Sequence, residues 1–151
     1  PASSPGLSHV TSSSQTFTMV DPSSKASTPR HATAVAKLRL PPSVSSILVS
    51  SDYTTAKGSV LDVARLAGIM AAKKTPDLIP LCHSVPLTSV DVSISHPSPD
   101  LLSVSCTCRA TYKTGVEMEA LVGATVAAMT VYDMVKAVSH EVVVEGVRVV
   151  E

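Results

Sequence analysis

Aromatic residues are nearly absent from this 151-residue chain: Phe17, Tyr53, Tyr112 and Tyr132 are all there are, and there is no tryptophan. Nor is there an excess of charge of either sign, because 12 Lys and Arg balance 12 Asp and Glu. A protein built to grip a nucleic-acid polymer normally carries a basic surplus and aromatic platforms for stacking, so that class is set aside. Cysteine is scarce as well, with Cys82, Cys106 and Cys108 an odd set too small for a disulfide framework. Without a C-x-x-C pair or further ligands at zinc spacing, the three read as reduced thiols rather than a metal site. No uninterrupted apolar run approaches the roughly 18–20 residues of a membrane span, and no signal peptide is visible. What is plentiful is hydrophobic residues, at 44% against 16% charged, which excludes disorder along the whole length. The reading is a soluble, intracellular globular protein.

The first 29 residues include 17 Ser, Thr or Pro, a linker-like composition, and residues 1–16 read as a flexible arm ahead of one domain over 17–151. From Arg30 the pattern becomes periodic. Ala32, Ala34, Ala36, Leu38 and Leu40 alternate with Thr33, Val35, Lys37 and Arg39, a strand ended by Pro41-Pro42. A short helix over 43–50 follows. Ser59 reads as an N-cap with Asp62 as its box partner, opening a helix over 60–73. Val90, Val92 and Ile94 mark a second strand. A turn at Pro97-Ser98-Pro99-Asp100 leads to a third, with Leu102, Val104, Cys106, Cys108 and Ala110 on one face. After Gly115 comes an Ala-rich helix over about 118–138, and residues 142–150 make a last strand. The order β-α-β-β-α-β is that of an α+β ferredoxin-like fold, an antiparallel sheet with its helices on one face.

Polar residues in the connections suggest where chemistry resides. Lys57 precedes the first long helix, where a cation beside free N–H groups suits an anion. Leu81-Cys82-His83 delivers a histidine from an apolar segment. Glu117 and Glu119, flanking Met118, open the Ala-rich helix, and Asp133 and Lys136 share a face near its end. Glu119 and Asp133 stand 14 residues apart, roughly 21 Å along one straight helix. A single small-molecule site containing both therefore requires a second protomer, and Ala120, Ala124, Ala127 and Ala128 suit close helix pairing around a two-fold axis.

Several segments together carry a resemblance: Met19-Val20-Asp21, Lys25 through Arg30, Lys57-Gly58, Asp77 through His83, Lys113 through Leu121, and Tyr132-Asp133-Met134 with Lys136-Ala137-Val138. With His9-Val10 and Ala64 through Ile69 they closely resemble the cyclic pyranopterin monophosphate synthase family (MoaC) of molybdenum-cofactor biosynthesis, over about His9 to Arg148. The resemblance implies a lyase acting on a small molecule, 3′,8-cyclo-7,8-dihydro-GTP, that releases pyrophosphate and forms cyclic pyranopterin monophosphate. It implies a homohexamer, a trimer of dimers with sites between protomers. By position it makes Lys57, Asp133 and Lys136 catalytic, and assigns substrate binding to Leu81, Cys82, His83, Glu117, Met118 and Glu119. Lys25 and Arg30 match basic residues that would grip the triphosphate. No redox cofactor is required and no metal ligands are expected, although Mg²⁺ accompanying the triphosphate is compatible. A cytoplasmic location is implied, or a mitochondrial one in a eukaryote. The chain departs from the family at Ser59, where Asp is usual, at Ser84 and at Val135. It also ends at Glu151 without the family's Lys- and Gly-rich tail, which contributes a lysine to the site. The competing reading is a non-enzymatic oligomeric ferredoxin-like module that binds an anionic nucleotide-like ligand.

Overall fold

The computed structural model describes residues 17–151; the arm expected over 1–16, and His9-Val10 with it, lies outside the described residues. Strand β1 (Thr28–Arg39) is followed by α1 (Pro42–Ser50), a small hairpin of β2 (Thr54–Thr55) and β3 (Gly58–Ser59), and α2 (Val60–Ala72). A single turn, α3 (Thr75–Leu78), precedes strands β4 (Leu87–Ser98) and β5 (Leu101–Tyr112). Helix α4 (Glu117–Val135) and strand β6 (Val143–Val149) complete the chain. The four long strands form one sheet in the order β4-β5-β1-β6, with every pairing antiparallel. With α2 and α4 as crossovers, this is the ferredoxin-like arrangement.

Alternation in the strands sets the core. Ala32, Ala34, Ala36, Leu38 and Leu40 of β1 and its end lie buried beside Leu102, Val104, Cys106, Cys108 and Ala110 of β5, one face of both strands. Burying a leucine such as Leu38 or Leu102 contributes about 1.5–3 kcal/mol. The thiols of Cys106 and Cys108 are fully buried and free, with sulfurs 3.9 Å apart, and the contact with Cys106, reinforced by burial, pushes the Cys108 thiol far up.

Helices α2 and α4 cover that face and cross where both lack side chains. A Cβ added to Gly68 would stand 2.9 Å from the Gly123 carbonyl, and one added to Gly123 would stand 2.5 Å from Cys106 Sγ. This close approach consumes the alanines: Ala120, Ala124, Ala127 and Ala128 are all fully buried within one protomer. The expectation that they pair helices between protomers is therefore corrected, because no surface remains on them for a partner. By length and composition α4 could cross a membrane, yet more than half of it is buried inside the fold. The sequence reading passed over this run because Glu117, Glu119 and Asp133 interrupt it near its ends.

Some boundaries differ from expectation. Helix α4 stops at Val135 rather than 138, where the Val138 N–H bonds the Val135 carbonyl and tightens the last turn. Strand β4 runs on through Pro97, placing the turn at Pro99-Asp100. Proline is tolerated there because β4 is an edge strand whose pairing with β5 is irregular between Ser95 and Ser98.

Candidate active site

Helix α4 presents one cluster of polar residues at each end. At its N-terminal end, a cavity of about 280 Å³ is lined by Lys25, Leu81, Cys82, His83, Glu117, Met118 and Glu119. Seven of the eight residues expected to bind substrate thus meet in one place. The eighth, Arg30, is not part of the lining; its Nε faces the Tyr112 carbonyl at 3.5 Å from the start of β1.

The backbone delivers these side chains in three pieces. After α3, the Cys82 N–H bonds the Ile79 carbonyl and turns the chain so that Cys82 and His83 enter the cavity wall. Glu117 and Glu119 occupy the first turn of α4, where their charge complements the helix dipole. They diverge as helical spacing requires: Glu119 is buried, while Glu117 is exposed and folds back over Gly115. The third piece is the stretch before β1. His83 Nε2 donates to the Val20 carbonyl at 2.6 Å, which fixes a proton on that nitrogen. The Lys113 ammonium donates to the Ser23 carbonyl at 2.8 Å.

Burial raises the Glu119 carboxyl above the ordinary range, with the Glu117 charge adding to the shift and His83 opposing it. Desolvation also raises the Cys82 thiol, and Glu119 adds to it, so Cys82 stays protonated near neutral pH.

At the C-terminal end the chemistry is ionic. Asp133 accepts from Lys57 Nζ at 2.6 Å on Oδ2 and from Lys136 Nζ at 2.7 Å on Oδ1. Lys57 also reaches the Asp133 carbonyl at 3.0 Å. Lys136, first, and Lys57 hold the Asp133 carboxyl down at about 2, and Asp133 in turn raises Lys136. All three side chains are about half exposed.

Lys57 pairs with Asp133 rather than standing free beside the start of α2. It sits at the two-residue tip of the β2–β3 hairpin and spans to α4 instead. Ser59 caps α2 as expected, accepting the Asp62 N–H. Asp52 and Tyr53, at φ 49° and 55°, reverse the chain after α1, and the Tyr53 hydroxyl is tied to His96 Nδ1 at 2.7 Å. Two successive non-glycine residues in this region are costly, so the hairpin carrying Lys57 is held by its surroundings.

Sequence reasoning quoted Lys113 in a motif without a role, and it missed the Val20 and Ser23 carbonyls. A basic residue just before a Thr-Gly bend was a usable signal for Lys113; backbone acceptors leave none.

The model described as "MoaC family" matches residues 19–151. A protein of Herpetosiphon aurantiacus named cyclic pyranopterin monophosphate synthase is 53% identical over 132 residues, covering 87% of this chain and 79% of that protein. Proteins of the same name from Xanthomonas oryzae pv. oryzae and Xanthomonas axonopodis pv. citri are 46% and 44% identical over 133 residues, each covering 88% of this chain and 81% of the relative.

Proposed function

The chain belongs to the MoaC family, and from that premise we propose that it is the cyclic pyranopterin monophosphate synthase of molybdenum-cofactor biosynthesis. Its substrate in this reading is a small molecule, the cyclised nucleotide 3′,8-cyclo-7,8-dihydro-GTP, and the enzyme is a lyase that releases pyrophosphate. The observation that carries the reading is Asp133 held between two ammonium groups.

Closing the cyclic phosphate requires a substrate hydroxyl to lose its proton and attack the α-phosphorus while pyrophosphate departs. Negative charge accumulates on the departing group, and Lys57 and Lys136, fixed in advance by Asp133, supply charge without reorganisation. Because Asp133 raises Lys136, that lysine starts as a proton donor rather than a base. A phosphate that displaces Asp133 frees the carboxylate to take a proton. The cavity at the other end of α4 suits the ring system, with Leu81, Val85 and Met118 as apolar wall and Glu119 and the His83 ring among its polar contacts.

Both ends serve one substrate only if a partner protomer brings its Lys57, Asp133 and Lys136 to the Glu119 cavity, which is our reason for proposing a homohexamer built from dimers with shared sites. Proton transfers without net oxidation need no redox cofactor. Mg²⁺, where it accompanies the triphosphate, would be held by phosphate oxygens, since among the described residues no three His, Cys, Asp or Glu converge. Reduced thiols fit an intracellular compartment.

The test is direct. Incubation with the cyclised nucleotide should yield pyrophosphate together with a pterin that fluoresces after oxidation. A folded, oligomeric sample that yields neither would overturn the reading in favour of a binding module.

A further inference from the structure

The stretch from Val20 to Lys25 crosses the cavity as a tight turn, in which the Lys25 N–H bonds the Pro22 carbonyl at 3.0 Å. Within the turn the Asp21 carboxylate accepts from both the backbone N–H and the hydroxyl of Ser23. Two latches tie this turn to the body of the protein: His83 to the Val20 carbonyl, and Lys113 to the Ser23 carbonyl. Lys113 lies one residue beyond β5, whose last residues Thr111 and Tyr112 are paired with β1, so its backbone is fixed by the sheet. Lys25 lines the cavity, whereas Lys113 does not.

We propose that Lys113 is a positioning residue, which holds the Val20–Lys25 turn over the cavity so that the Lys25 ammonium meets the substrate's anionic end. The proposal rests on the activity given above. Lys113 carries a charge into a neutral acceptor, the stronger class of hydrogen bond, and the contact joins residues 90 apart in sequence. Without it, the turn keeps its local bonds and the His83 latch but loses its second anchor, and a lysine on one anchor samples many positions.

Two measurements on the full chain test this. In the steady state, Lys113→Met should raise KM for the cyclised nucleotide about tenfold with kcat within about twofold, and Lys113→Arg should recover most of the loss. Lys25→Ala combined with Lys113→Met should be no worse than Lys25→Ala alone, because Lys113 acts through Lys25. In the ligand-free protein, the amides of Ser23 and Lys25 should exchange hydrogen about tenfold faster in Lys113→Met than in the wild type. A multiplicative double variant would overturn the proposal by making Lys113 a substrate contact in its own right. Unchanged exchange would overturn it as well. If Lys113→Met does not fold, Lys113→Gln is read by the same criteria. A wild type without turnover would defeat the proposed activity, and the exchange arm, which needs no substrate, would still decide the role of Lys113.

Discussion

At the N-terminal end of α4 a glutamate lies buried beside Cys82 and His83, and its carboxyl is pushed up; 14 residues later, an aspartate stands half exposed between two lysines, and its carboxyl is pulled down to about 2. Both are carboxyl groups on one helix, so local sequence chemistry does not set their difference. Solvent and neighbours do. Desolvation disfavours the charged form of Glu119, whereas two ammonium groups favour that of Asp133. The first environment suits recognition of a polar but uncharged ring edge, the second the handling of phosphate charge. In the reaction proposed above, each end alone is half a site.

The largest effect that can break this contrast is at the ionic end. Asp133→Asn removes the acceptor that fixes Lys57 and Lys136, and turnover should fall about 10²- to 10⁴-fold with little change in KM. The melting temperature should stay where it is, since the group is exposed. Near-normal kcat in this variant would remove Asp133 from the reaction.

A second experiment asks whether the halves meet across protomers. Glu119→Gln and Asp133→Asn, each expected to lose turnover by itself, are unfolded together and refolded at equal concentrations. If sites are shared around a two-fold, half of the dimers are mixed and each mixed dimer has one intact site, so activity should return to about a quarter of the wild type. No recovery from mixed oligomers would mean that each protomer works alone, against the roughly 21 Å that α4 puts between its ends.

Legibility in the sequence divided along physical lines. β1 and β5 were visible because a strand buried on one face must alternate, and the alternation of Ala32 through Leu40 needs no partner to be seen. The Ser59 cap was visible because it acts over three residues. The β2–β3 hairpin was not: two residues per strand carry no period, and the turn leading into it rests on Asp52 and Tyr53 at positive φ. The Lys57–Asp133 pair spans 76 residues and was named through family resemblance, not spacing. The small residues of α4 were seen but misassigned, because periodicity says that a face is buried and not what buries it.

Those small residues offer the next test, since α4 is the strut that sets the distance between the two ends. Gly123→Ala drives a methyl to within 2.5 Å of Cys106 Sγ, which fully buried packing cannot absorb without shifting the helix. The cost should be about 1–3 kcal/mol by denaturant unfolding. Gly123→Ala paired with Cys106→Ala should recover much of it, and a failure to recover would locate the strain elsewhere, at the Gly68 carbonyl.

The smallest effect sharpens the contrast from the buried end. A carboxyl whose folded pKa is raised binds its proton more tightly in the native state than in the unfolded chain. The stability this represents is fully present below the ordinary carboxylate range and declines as pH rises from there through the folded value. Glu119→Gln keeps the shape and removes the ionisation. Its melting temperature should exceed the wild type's at neutral pH and lose that advantage as the pH falls into the ordinary carboxylate range. Asp133→Asn should show no such crossing in this interval, because Asp133 remains ionised until the pH falls toward 2. A Glu119→Gln variant destabilised equally at both pH values would mean that the carboxylate is welcome where it lies, and the two ends of α4 would then differ in exposure but not in kind.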